Sequence, residues 1–289
     1  MSIEKRFQKI EQQVAALQRD AERGIRQNYK VFAAEIKEEI SEIFSRYGDE
    51  PFLELQKYDR QKKFSKKIRK IVRGNYTGIS REIRSSLRKA MRNSFSETVS
   101  AMEAEAGKTI RGNLKSETIT DRLQDPISGA SLNERLQRRR NDAIFRIEEE
   151  ITQGLRRGES FRDIGLRVTK ELEGDRKKTD RIVRTEAHRV QEQGKTEALD
   201  FASNQGIVMV KVWVTAEDDR VRGDPRGKYP DSIARHDLMH EKKVKYEEEF
   251  YNPKTGGRGP YPGALGTAED DINCRCTYVV EIVDLKNTA

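Results

Sequence analysis

From Ile207 to Arg222 the chain reads I-V-M-V-K-V-W-V-T-A-E-D-D-R-V-R. Val208–Thr215 alternates and is rich in β-branched residues, so it is expected to be a strand, ending in a charged turn. Downstream, Thr277–Val283 reads T-Y-V-V-E-I-V, a second strand whose natural partner is the first. Between them lie H-D-L-M-H at His236–His240, P-Y-P-G at Pro260–Gly263 and N-C-R-C at Asn273–Cys276. Arg235–Glu241 is expected as a short helical turn, and Lys254–Gly266, rich in glycine and proline, as a loop. This last third holds both cysteines, the single tryptophan and two of the three histidines.

The residues before Ile207 have a different texture. Ile3, Phe7, Ile10, Val14 and Leu17 recur at steps of four and three, the seam spacing of a coiled coil, and Ala21 to Ile43 continue it with repeated steps of four. One helix over residues 3–47 follows, ended by Gly48 and Pro51. A basic helix over 51–73 is expected next, then a turn at Gly74–Gly78 and a third helix from Ile79 to Ala106. Gly107–Ala130 reads as a connector. Ser131-Leu-Asn-Glu134 is a capping box opening a helix to about Leu155. Ser160–Asp163 opens a shorter one to about Leu172, and Thr179 caps another reaching about Asn204. The fold class is therefore α+β: a long N-terminal helical arm of several helices, then a small C-terminal α+β head with a short antiparallel sheet. The expected divisions are 1–130, a helical arm with a basic segment; 131–206, a helical region leading into the head; and 207–289, the head.

Of the 289 residues, 34% are apolar and 37% charged, too polar a balance for one core but natural for long helices awaiting partners. The net charge is +8 and unevenly placed, for Lys57–Arg92 alone carries 14 Lys and Arg against two acids. Lys62, Lys63, Lys66, Lys67, Arg69, Lys70 and Arg73 ride on the apolar stripe of Phe64, Ile68, Ile71 and Val72. That pattern is either a solvated face or a contact for DNA phosphates or an acidic partner. The sequence shows neither a secretory leader nor an apolar run of membrane-spanning length, and the cysteine usage suits a reducing compartment.

The sharpest chemical constellation is His236, His240, Cys274 and Cys276. On a helical turn H-x-x-x-H places both imidazoles on one face, and C-x-C joins two thiols. Two nitrogens and two sulfurs suit a structural, tetrahedral zinc with no position left for an activated water. The alternative is that the thiols are small buried hydrophobes and the histidines surface residues. Asp218, Asp219, Arg220 and Arg222 form a charged turn, read as a salt-bridge and Asx-turn network rather than acid–base machinery. No nucleophile elbow, P-loop or H-E-x-x-H motif is present.

Several of these pieces stand in the order seen in one family. R-T-E at Arg184, Thr185 and Glu186 comes first, then W-V-T-A-E-D-D-R-V-R from Trp213 through Asp218 and Arg220 to Arg222. His236, Phe250, Pro262-Gly263 and N-C-R-C at Asn273, Cys274, Arg275 and Cys276 follow. The chain resembles the phage Mu F-like family of head-morphogenesis, or minor capsid, proteins over roughly residues 150–283. It departs from the family pattern where Gly223–Arg235 intervene before the histidine and where Met239, His240 and Glu241 replace an L-D-G.

The resemblance implies a minor protein of the virion, inside the phage head near the portal, assembled in the bacterial host cytoplasm. It implies a role in head morphogenesis and in DNA packaging or delivery. The expected partners are the portal protein, major capsid or scaffold proteins, packaged double-stranded DNA, and other copies of the chain through the helical arm, with no membrane. No catalytic residue is expected. Two other classes stay open: a nucleic-acid-cleaving enzyme or toxin-like head domain, and a zinc-stapled helical adaptor.

Overall fold

The computed structural model describes residues 3–47, 53, 57–127 and 129–285. Helix α1 runs Ile3–Tyr47. Its stripe is buried as the spacing requires, from Phe7, Ile10 and Val14 through Ile25, Tyr29 and Phe32 to Ile36, Ile40 and Ile43. The terminators expected at Gly48 and Pro51 lie outside the described residues.

Helix α2 runs unbroken over Tyr58–Ala106, which corrects the turn expected at Gly74–Gly78. Each glycine costs a helix about 1 kcal/mol relative to alanine. Against this, Ile68, Val72, Tyr76, Ile79 and Ile83 keep steps of four and three across both glycines and are all buried. Each buried aliphatic side chain contributes about 1.5–3 kcal/mol, so packing outweighs propensity. The connector holds a short helix α3, Ser116–Arg122. Helix α4, Leu132–Arg156, begins directly after Ser131.

Helix α5 is continuous over Phe161–Asn204, where a break before Thr179 was expected. Ser160 does cap it, its hydroxyl accepting from the Asp163 N–H at 3.2 Å. Thr179 instead sits inside the helix, buried, with its hydroxyl 2.9 Å from that of Tyr29. The capping chemistry is spent on a tertiary contact, so the helix has no reason to restart there.

The expected strand pair forms. β1, Ile207–Val214, lies antiparallel to a later strand, Thr277–Leu285, with Trp213 opposite Tyr278 and a bulge at Val208/Met209. A strand that the sequence reading had not picked out, β2 at Lys243–Lys245, pairs with the other edge of β1. Two further strands, β3 (Phe250–Tyr251) and β4 (Arg258–Gly259), make a small ribbon. A one-turn helix α6, Ala268–Asp271, precedes the last strand, which is β5. Among the described residues no helix is long and apolar enough to cross a membrane.

The chain partitions into two compact units, and neither is a single stretch of sequence. One comprises residues 1–19, 85–132 and 184–289; the other comprises 20–84 and 133–183. This differs from the three consecutive segments expected from texture, because α1, α2 and α5 each supply residues to both units. The second unit is helical. Its aliphatic interior contains one polar node, in which the Tyr29 hydroxyl donates to Asp175 at 2.6 Å and Tyr76 donates to the same carboxylate oxygen. The first unit holds all the strands. Within it α2 and α5 approach backbone to backbone, since a Cβ on Gly194 would stand 2.4 Å from the Met91 carbonyl oxygen.

Candidate functional site

The motifs converge in the strand-bearing unit. Trp213, at the end of β1, is fully buried and meets the His236 ring edge-on with centroids 5.5 Å apart and the Phe250 ring at 5.2 Å. His236 opens a short 3-10 turn, His236–Met239, entered through Arg235 in a left-handed conformation at φ 36°. Its Nε2 lies 3.0 Å from a carboxylate oxygen of Asp270, which is itself fully buried. Its Nδ1 faces the two thiols, 3.4 Å from Cys276 Sγ and 3.8 Å from Cys274 Sγ.

Asp270 is the residue that the sequence reading missed. Asn252 donates to it at 2.8 Å, Thr255 at 2.5 Å and Thr267 at 2.7 Å, in addition to the histidine. Thr267 also caps α6 by accepting from the Asp270 N–H. The Thr267-x-x-Asp270 spacing, a small capping signature, was the available signal. Burial would raise the Asp270 pKa, but the donors led by His236 win and hold it at about 2. The carboxylate is therefore ionised. In turn, burial opposes charge on His236, while Asp270 and Cys274 push its pKa up to about 9. Cys276 and His236 hold the Cys274 thiol well below its ordinary range, whereas Cys274 and burial push Cys276 well above it.

His240 is not part of this group. Its Nδ1 lies 3.1 Å from the Thr215 hydroxyl, and its Nε2 pairs with Glu217 at 3.4 Å. Of the four residues expected to converge, the structure brings three together, His236, Cys274 and Cys276, with their donor atoms within 4.8 Å of one another. The reason is helix type. Residues four apart differ by roughly 40° around an α-helix but by about 120° around a 3-10 helix. This turn is 3-10, and His240 has already left it at ψ 136°.

The remaining motif residues brace one another. Arg222 reaches the carbonyls at the end of α6, donating to those of Glu269, Asp270 (2.9 Å) and Ile272. Cations at a helix C-terminus satisfy its orphan carbonyls and favour its dipole. Arg275 pairs with Asp218, joining the N-C-R-C and D-D-R-V-R motifs. Asp218 also accepts from the Arg220 N–H at 3.0 Å, the Asx turn expected there. The Asn273 N–H donates to the Thr185 hydroxyl at 3.2 Å, which ties in R-T-E. Glu186, fully buried, accepts from the Arg189 guanidinium at 2.6 and 2.9 Å. Arg184 is exposed.

Further along α5, Lys195 is buried against Glu192 at 3.0 Å and donates to the Thr277 hydroxyl and the Tyr278 carbonyl. It anchors β5 to α5. A lysine and glutamate three apart on a helix read as a surface pair in sequence, so nothing local marked them as interior.

The basic segment lies in the helical unit, on α2. All seven cations are exposed. Lys67 bridges Glu39 at 3.0 Å and Glu42 at 2.8 Å, and Arg69 pairs with Glu148 at 3.1 Å. Those two are partly neutralised within the protein. Lys63, Lys66, Lys70 and Arg73, at steps of three, four and three, form one exposed stripe along the helix.

Residues 145–279 match the family described as Phage Mu protein F like protein. The chain is 28% identical to Minor head protein GP7 of Bacillus phage SPP1 over 260 residues, which cover 88% of this chain and 80% of that protein. It is 30% identical over 166 residues to NAD(+)–arginine ADP-ribosyltransferase EFV of Enterococcus faecalis, covering 57% of this chain but only 31% of that protein. No solved structure gives a significant match.

Proposed function

We propose, from the match of residues 145–279 to the family described as Phage Mu protein F like protein, that the chain is a minor component of the phage head acting in head morphogenesis. The observation that carries this reading is the similarity to a minor head protein across 88% of the chain. The mutual bracing of the family's motif residues agrees with it. Thr185, Asp218, Arg222, Asn273 and Arg275 are spent on holding one small domain together, as a structural part requires.

Within that role we place the protein at the portal, in contact with packaged double-stranded DNA. The support for DNA is the stripe of Lys63, Lys66, Lys70 and Arg73, a cationic row about 15 Å long on a rigid helix. Contacts of this kind are sequence-blind and salt-sensitive. Four neutralised phosphates give a slope of about −4 in log affinity against log salt. Changing Lys63, Lys66, Lys70 and Arg73 together to glutamate is expected to abolish binding to duplex DNA. Unchanged binding would sink the DNA assignment. Position in the particle is tested by quantitative mass spectrometry of purified heads. A reproducible ratio at or below one copy per portal subunit supports the reading, and absence from assembling and mature heads refutes it.

We read the protein as structural rather than enzymatic. The transferase activity in the second relative's name is not carried over, because the match leaves most of that protein uncovered. Assays for nuclease activity and for arginine ADP-ribosylation with labelled NAD+ are expected to be blank, and turnover in either would overturn this reading.

A further inference from the structure

We propose that His236, Cys274 and Cys276 bind one thiophilic d10 cation of the zinc class, with Asp270 as the buried carboxylate that orients the histidine. The proposal concerns the strand-bearing unit alone and does not depend on the role in head assembly.

Zinc–sulfur bonds of about 2.3 Å and zinc–nitrogen bonds of about 2.0 Å at tetrahedral angles place nitrogen and sulfur about 3.5 Å apart. The His236 Nδ1 stands 3.4 Å from one sulfur and 3.8 Å from the other. All three donors are buried, and both cysteines are free thiols rather than a disulfide. A cation fits between them without a change of fold.

A metal-bound histidine almost always gives its other ring nitrogen to a carboxylate or carbonyl, which fixes the ring and raises its basicity. Asp270 does this for Nε2, so the nitrogen aimed at the sulfurs is the one free to ligate. The carboxylate is fixed in turn by Asn252, Thr255 and Thr267. Gly257 leaves room for it, since a Cβ there would lie 2.5 Å from its oxygen. Such a shell is far more than a structural histidine needs. Trp213 adds a further detail. Its indole N–H is buried with no partner at hydrogen-bond distance, and its ring packs edge-on against that of His236.

The donor set selects the ion. Two thiolates and an imidazole favour zinc over calcium or magnesium, which take oxygen ligands. Among the described residues three protein donors converge, so the fourth position falls to water or an added ligand. The site joins the turn at His236 to the strand leading from Cys274. A bound ion therefore closes the loop between them, and its binding energy adds to folding.

The test uses the full chain, purified under reducing, chelator-free conditions and equilibrated with zinc. Elemental analysis is expected to give about one zinc per chain, and chelator is expected to lower the melting temperature reversibly. Cobalt substitution should produce thiolate-to-metal charge-transfer bands. Cys274→Ser, Cys276→Ser and His236→Gln should lose stoichiometric metal, and Asp270→Asn should weaken affinity about 10- to 100-fold. His240→Gln should bind as the wild type does. If a cysteine variant fails to fold, the cobalt spectrum and chelator response of the wild-type chain still decide the matter. Substoichiometric zinc with no cobalt–thiolate band, or a melting temperature indifferent to zinc and chelator, would overturn the proposal.

Discussion

The two units solve the same problem by different means. The helical unit is held by aliphatic stripes. Ile25, Phe32, Ile36, Ile40, Ile68, Ile79 and Ile83 are each fully buried, and the polar node of Tyr29, Tyr76, Asp175 and Thr179 is an exception among them. The strand-bearing unit uses aromatic packing plus a mesh of buried charge, in which Glu186–Arg189, Glu192–Lys195 and His236–Asp270 are all interior. Dispersion and apolar burial are non-directional and tolerate small shifts. Buried ion pairs are directional and fail when one partner goes. The comparison teaches that the helical unit should respond to mutation gradually, whereas the strand-bearing unit should respond abruptly.

The hardest way to break this contrast is Lys195→Met. It leaves the buried Glu192 without its counter-charge and strips a donor from Thr277 and from the Tyr278 carbonyl. A loss of about 3–5 kcal/mol is expected from chemical denaturation of the strand-bearing unit. A cost under about 1 kcal/mol would show that the charge mesh is dispensable. The matching change in the helical unit is Ile36→Ala, at a fully buried position. It should cost about 2–4 kcal/mol through lost transfer energy and a cavity. Hydrogen exchange should localise each loss to its own unit.

Smaller effects sharpen the picture from the other side. Gly74 and Gly78 lie inside α2, and a Cβ added at either meets nothing within 4 Å. Gly74→Ala with Gly78→Ala should raise stability by about 1–2 kcal/mol in total, read as an upward shift of the denaturation midpoint. No gain would mean that the helix is not continuous there. The smallest effect is a pH slope. Burial raises the Asp175 pKa above 3.8, with hydrogen bonds from Tyr29 and Tyr76 only partly opposing it. The folded state therefore binds this proton more tightly than the unfolded chain does. The resulting stabilisation is complete below 3.8 and is lost as pH rises through the folded value. Asp175→Asn, which keeps an acceptor for both tyrosines, should flatten that decline in a series of melting curves. An unchanged slope would assign the linkage elsewhere.

Much of this protein was legible as pattern. The α1 stripe, the β1–β5 pairing, the Ser160 cap and the Asp218 Asx turn all follow from spacing and residue type. What escaped the sequence reading shares a cause. The breaks expected at Gly74–Gly78 and before Thr179 rest on local propensity, which long-range burial outweighed. Asp270 and Lys195 went unmarked because their partners His236 and Thr277 are 34 and 82 residues away.

The sequence by itself determined which apolar residues face inward, because a helix or strand repeats its faces with a period that any stretch of chain displays. The order of its motif side chains also carries the resemblance to the family matched over residues 145–279. Only the tertiary structure decided which polar atoms meet. His236 rather than His240 joins the cysteines because the turn between them is 3-10. Arg222 closes α6, Arg275 finds Asp218, and Asp270 orients the histidine, each across a loop. Contacts of that kind depend on non-periodic backbone and on distances between distant segments. Period and composition carry no information about either.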